Sequence, residues 1–233
     1  MVLIEARKRQ IENEAIRLRH QIWDARASFW PGRQPHPLEV LDPQIAAQVL
    51  GFSLEYLHEL NLGVIGQGNQ TAGILDRNLK RIVVAQCFGP EVEIFTAAHE
   101  LGHVVLHPKD VILHRDLPIP GLEQKEKDPI EREANYFAGT YLMPTEFLTK
   151  VFKARFGTAP FVFDDAAAHF LRPRDVSSLL HPHPGSNARS ISLASARSFA
   201  GQAFGNSLAG FFKVSVATMA IRLRELELVS DYP

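Results

Sequence analysis

The stretch 96-TAAHELGHVVLH-107 decides how the rest of the chain is read. Its apolar residues Ala97, Ala98, Leu101, Val104, Val105 and Leu106 describe a buried helix. Yet it carries His99, Glu100, His103 and His107, which an interior holds only with partners. His99, Glu100 and His103 form H-E-x-x-H. Positions four apart on an α-helix differ by about 40° and about 6 Å of rise, so both imidazoles reach one tetrahedral cation over that face. Glu100 then stands where its carboxylate can face the attacking water rather than the metal. A bland reading, two exposed histidines and a solvated glutamate, fits poorly with a helix that leaves so little polar face. His107 lies about 12 Å along the axis from His99 and cannot share the same ion; it is expected at the helix end, near the last carbonyls.

A catalytic zinc site takes three protein ligands and keeps one position open. The third is sought on the next helix, 128-DPIEREANYFAGTYLMP-144, where Asp128 reads as the cap, Pro129 as the first position and Pro144 as the stop. Glu131 borders the apolar stripe of Ile130, Ala134, Phe137, Ala138 and Tyr141. Glu133 is about 200° round the helix from it and is expected nearer solvent. Glu131 has a second reading: three residues after Asp128, it occupies a capping-box position and could bond back to the cap. Asn135, one turn on from Glu131, is placed to orient a ligand histidine.

Around these helices the chain reads as α+β. Ile11, Ala15, Leu18 and Ile22 mark an amphipathic helix that runs out at Pro31, and Asp42-Pro43 opens a short helix that stops at Gly51. "AGILD" and "RIVVAQ" predict a small antiparallel sheet between Leu62 and Phe88, packed on the two site helices, with Cys87 as a strand-end core residue. Residues 108–128 are a long connection with at most a short strand at "DVIL". After about Phe163 the composition changes, with "HPHPGSNARS" as the clearest linker. We expect residues 1–165 to form a catalytic domain and 166–233 a helical region. Within that region "SLAGFFKVSVATMAIRLREL" has a helix-turn-helix shape, with Ser215 as N-cap.

Composition bounds the function. The 233 residues are 45% hydrophobic and 22% charged, with 25 Lys plus Arg against 26 Asp plus Glu, so no general attraction to nucleic acid or anionic membrane follows. The single cysteine excludes an intrachain disulfide framework and a cysteine-rich zinc module. No apolar run is long enough to span a membrane, and the opening "MVLIEARKRQIENE" lacks a signal-peptide core; cytoplasmic is the expected location.

"AAHELGHVVLH" followed by "IEREANYFAGTYLMP" resembles the ImmA/IrrE family of metallo-endopeptidases, marked by an H-E-L-G-H helix and then E-x-x-A-N-x-F-A-x-x-L-L-M-P. Tyr141 stands where that pattern has leucine. "HRDLPI" (114–119) and "LAGFFKVSVATMAIRLREL" also resemble it, so the likeness runs in order through most of residues 50 to 230. It implies a zincin-like fold and a zinc-dependent protease of the glutamate-ligand (gluzincin) type. His99, His103 and Glu131 would be ligands of one catalytic Zn2+, and Glu100 the base. Known members cut helix-turn-helix transcriptional repressors in stress responses or mobile-element control, which implies a DNA-binding repressor as the protein partner; direct nucleic-acid binding by this chain is expected to be weak at most. An oxyanion partner is also required, and His114, Arg115 and Tyr136 are the candidates. The competing class is a non-catalytic DNA- or partner-binding regulator, or a toxin–antitoxin component, with a structural zinc. Its C-terminal helices offer only Arg197, Lys213, Arg222 and Arg224 against Glu225, Glu227 and Asp231, thin for a phosphate-binding surface.

Overall fold

The computed structural model describes residues 3–58, 70–107, 113–117 and 129–230, with the backbone alone at Gln70 and 113–117. The chain divides into two compact units, 1–142 and 143–233. The expected boundary at 165/166 followed composition, but contacts group residues 145–156 with the second unit: Phe147 meets Phe211 and Phe212 at ring separations of 6.1 and 5.4 Å.

The first unit opens with α1 (Glu5–Asp24), whose buried side chains are Ile11, Ala15, Leu18 and Ile22. A short α2 (Arg26–Phe29) follows. In α3 (Pro43–Val49), Asp42 caps by accepting from the Gln44 N–H, as its sequence predicts. The sheet comprises β1 (Ser53–Leu57), β2 (Gln70–Asp76), β3 (Arg81–Ala85) and β4 (Leu113–Leu117), in the order β1-β3-β2-β4. β2 and β3 form the expected antiparallel hairpin. Its turn is held by Asp76 Oδ1, which accepts from the Asn78 and Leu79 N–H groups. The sheet is mixed, not antiparallel throughout, because β1 runs parallel to β3. β4 pairs antiparallel with β2 at 113–117; residues 110–112 of "DVIL" lie outside the described residues. Cys87 is exposed, not in the core.

Next come α4 (Pro90–Leu106) and α5 (Pro129–Leu142). Pro90 takes the first position of α4, and Glu91 and Glu93 sit in its first turn, where carboxylates suit the positive end of the helix. At the other end an Arg77 N–H donates to the His103 carbonyl at 2.5 Å, tying the β2–β3 turn to the helix terminus. α4 packs on β2 and β3 and, on its other side, against α5, which itself packs on α1. This layering explains why residues 96–103 are buried all round. α5 begins at Pro129 as predicted; its expected cap, Asp128, lies outside the described residues. Tyr141, the departure from the family pattern, is fully buried, and its hydroxyl donates to the Val40 carbonyl at 3.2 Å, so the polar tip is satisfied.

The second unit holds α6 (Thr145–Phe156), α7 (Asp165–Leu171), α8 (Ser177–Leu180), α9 (Ala188–Ser195), β5 (Ser198–Phe199), β6 (Gln202–Ala203), α10 (Leu208–Phe211) and α11 (Val216–Glu225). Edge-to-face contacts of Phe156, Phe161 and Phe199 build part of its core. The predicted short helix, turn and second helix are α10 and α11, and the Ser215 side chain accepts from the Thr218 N–H. The stretch before them is not continuous helix. Ala200 and Gly201, at φ 47° and 82°, turn the chain into the β5–β6 hairpin. Arg222 is 1% exposed, paired with Glu225 at 3.1 Å, so it adds nothing to a basic surface.

Candidate metal centre

Two helices bring the site together. His99 and His103 lie one turn apart on α4, and their Nε2 atoms are 3.0 Å apart. Glu131, in the first turn of α5, spans the pair: Oε2 is 3.2 Å from His99 Nε2 and Oε1 is 3.1 Å from His103 Nε2. Among the described residues, these three form the one group of His, Cys, Asp or Glu side chains that could hold a metal ion, with ligand atoms all within 4.8 Å of one another. Separations of 3.0–3.2 Å approach the edge of about 3.3 Å expected for a tetrahedron with bonds of about 2.0 Å. The donor set, two imidazoles and a carboxylate, suits zinc. Burial acts to raise the Glu131 carboxyl, but bonds to His103 and His99 outweigh it and hold it well below the usual carboxylate range. Glu131 therefore turns to the imidazoles, as its place beside the apolar stripe predicts.

The close approach of the helices rests on Gly102. A Cβ there would lie 3.1 Å from Ala134 Cα and 3.2 Å from the Ala134 carbonyl oxygen. On the opposite side of α4, Gly73 of β2 makes room for Glu100. A Cβ at Gly73 would sit 2.6 Å from Glu100 Oε1 and 2.6 Å from Thr96 Cγ2. Glu100 is fully buried and lies against the strand where the β2–β4 register shifts between Thr71 and Gly73.

The surrounding residues divide clearly. Asn135 Oδ1 is 3.2 Å from His99 Nδ1, the contact predicted for it. The Tyr136 hydroxyl donates to Glu12 of α1 at 2.7 Å. The side chains of His114 and Arg115 lie outside the described residues, while the backbone register sets Arg115 opposite Gly73 and His114 opposite Ile74. His107 stands at the helix end as expected, with its backbone N–H donating to the His103 carbonyl at 3.1 Å, but its side chain turns to other partners, and Glu133 departs from the solvent-facing place expected for it. The His107 ring lies 3.1 Å from His103 Nδ1 through its own Nδ1, and 3.0 Å from Glu133 Oε2 through Nε2. Glu133 is the less exposed of the two glutamates, at 16% against 29% for Glu131, because Arg7 of α1 covers it. The hydrogen bond from Arg7 is the main cause of a lowered Glu133 carboxyl pKa, and burial is the main cause of a lowered His107 pKa. The spacing of His107 four residues after His103 was the available signal, since such residues share a helix face. Nothing in the sequence pattern pointed to Arg7.

A buried helix carrying two histidines, with a carboxylate delivered from a second helix beside a small sheet, is an arrangement that could hold a metal ion. Residues 64–160 match the family model described as the IrrE N-terminal-like domain, Peptidase_M78. The matched segment carries both site helices and is similar to the metallopeptidase family that its motifs resemble. None of the curated proteins matches the chain. No helix among the described residues is long and apolar enough to cross a membrane.

Proposed function

We propose that the chain is a zinc-dependent endopeptidase of the glutamate-ligand, zincin-like type, acting in the cytoplasm on a helix-turn-helix transcriptional repressor. The convergence of His99, His103 and Glu131, with ligand atoms all within 4.8 Å of one another, carries the reading. These three residues would hold the ion, and Asn135 would orient His99 through its ring Nδ1. When bound, zinc supplies Lewis acidity, polarising the scissile carbonyl and making a water acidic enough to attack at neutral pH. Glu100 accepts that water's proton and then returns it to the leaving amine nitrogen, a general acid–base role worth roughly 100- to 10,000-fold in rate. Arg115 and His114 are the proposed oxyanion partners, since β4 sets Arg115 opposite Gly73, the residue that abuts Glu100. The repressor substrate rests on the resemblance of the two helical motifs. The test is Glu100→Gln with zinc content and peptide cleavage measured together. The variant is expected to keep its zinc and lose cleavage by at least about 100-fold. Cleavage at the native rate overturns the assignment.

A further inference from the structure

His103 can lend its Nε2 lone pair to a cation only as the tautomer that carries hydrogen on Nδ1. That hydrogen needs an acceptor, and Nδ1 faces a second imidazole nitrogen, His107 Nδ1, at 3.1 Å. Two facing ring nitrogens bond only if one is bare, so the far side of His107 matters. There Nε2 meets Glu133 Oε2 at 3.0 Å. Glu133 is itself gripped by Arg7, whose Nε donates to Oε1 at 2.9 Å and whose terminal nitrogen donates to Oε2 at 2.5 Å. A carboxylate held in this way is an acceptor only.

From this geometry we infer that Arg7, Glu133 and His107 form a hydrogen-bonded relay that fixes the tautomer of His103 and strengthens its hold on the metal. Glu133 takes the hydrogen of His107 Nε2, which leaves His107 Nδ1 bare. His107 Nδ1 then accepts from His103 Nδ1–H, and the His103 Nε2 lone pair points to His99 and Glu131. Reversing either hydrogen would place a proton on His103 Nε2, where the cation belongs. The two imidazoles of the site are therefore supported differently: His99 by a neutral amide oxygen at 3.2 Å, His103 by a chain ending in an ion pair. A carboxylate behind a ligand histidine raises its basicity, and here the effect is passed through a second ring. Arg7 lies outside the matched segment 64–160, so α1 contributes to the site a support that the domain alone does not contain. His107, Glu133 and Arg7 are positioning residues; none is assigned contact with substrate or ion.

The inference rests on the proposed zinc site, and its test separates the two. Zinc affinity of the full chain is measured by chelator competition for the wild type, His107→Phe and His107→Gln. Imidazole nitrogen NMR on the zinc-loaded wild type reads the tautomers. His107→Phe keeps a ring but removes the acceptor, and zinc binding is expected to weaken roughly 10- to 100-fold. Glutamine can accept from His103 through its carbonyl and donate to Glu133 through its amide, so His107→Gln is expected within about threefold of wild type. The spectrum should show hydrogen on His107 Nε2 and on His103 Nδ1. A wild-type chain that takes up no zinc overturns the ligand assignment and the relay with it. Stoichiometric zinc in the wild type with unchanged affinity in His107→Phe, or hydrogen on His107 Nδ1, overturns the relay alone.

Discussion

Replacing Gly73 with alanine probes the contact between β2 and the proposed base. The added Cβ would lie 2.6 Å from both Glu100 Oε1 and Thr96 Cγ2, and 3.2 Å from Glu100 Cγ. Favourable contacts between carbon atoms lie at about 3.5–4.0 Å, so each neighbour must retreat by roughly 1 Å. Glu100 and Thr96 are both fully buried on a helix packed from two sides, which leaves them little room to do so. Overpacking of this kind costs about 1–3 kcal/mol. Displacing a proton-transfer group by about 1 Å costs on the order of 100-fold in rate. The assays are urea unfolding and turnover of an internally quenched peptide library by the zinc-loaded chain. Combining Gly73→Ala with Thr96→Ser removes the clashing methyl but leaves the contact with Glu100. The pair should therefore recover part of the stability while cleavage remains near the level of Gly73→Ala. Native cleavage by Gly73→Ala would refute the claim that the strand fixes Glu100.

Gly102→Ala sets two effects against each other: helix propensity alone would stabilise by about 1 kcal/mol. The contacts at 3.1–3.2 Å are to the α5 backbone and Phe137 Cβ, which cannot swing aside; net destabilisation and weaker zinc binding are expected, and a more stable variant would contradict the close helix approach. Ser215→Ala deletes the α11 cap at the Thr218 N–H; chemical unfolding should register a loss of about 1 kcal/mol, and no loss would show that the cap is idle. Glu39 is gripped through both carboxylate oxygens by Arg33, and also accepts from the His36 N–H, which lowers its pKa to about 2. A depressed carboxyl stabilises the fold above its unfolded value of about 4.3 and loses that contribution as pH falls toward the folded value. Carboxyl NMR should place the Glu39 titration near 2, and a midpoint above 4 would show that the pair does not persist in solution.

How legible this architecture was depended on how local its causes are. The buried stripe of α1, the Asp42 and Ser215 caps and the β2–β3 hairpin follow from periodicity and turn chemistry within a few residues. β1 was missed because "SLEYL" is short and has no clean alternation; it is held by its parallel pairing with β3, which no local pattern announces. The β5–β6 hairpin was missed because its Ala-rich surroundings favour helix, and only the paired left-handed residues Ala200 and Gly201 break it. In the site, helix geometry was enough to pair His99 with His103 and to point Glu131 inward. It misjudged Glu133, because a helical wheel registers apolar neighbours and not an arginine arriving from position 7. His107 was excluded as a ligand on axial distance, but distance from His99 says nothing about its contact with His103.

The function proposed for this chain depends above all on which side chains bind the ion. Metal analysis with zinc competition on the wild type and on Glu131→Ala is the decisive measurement. One zinc per wild-type chain is expected, with an affinity lower by more than about 100-fold when the carboxylate is removed. A Glu131→Ala chain that binds zinc as tightly as the wild type would contradict that proposal.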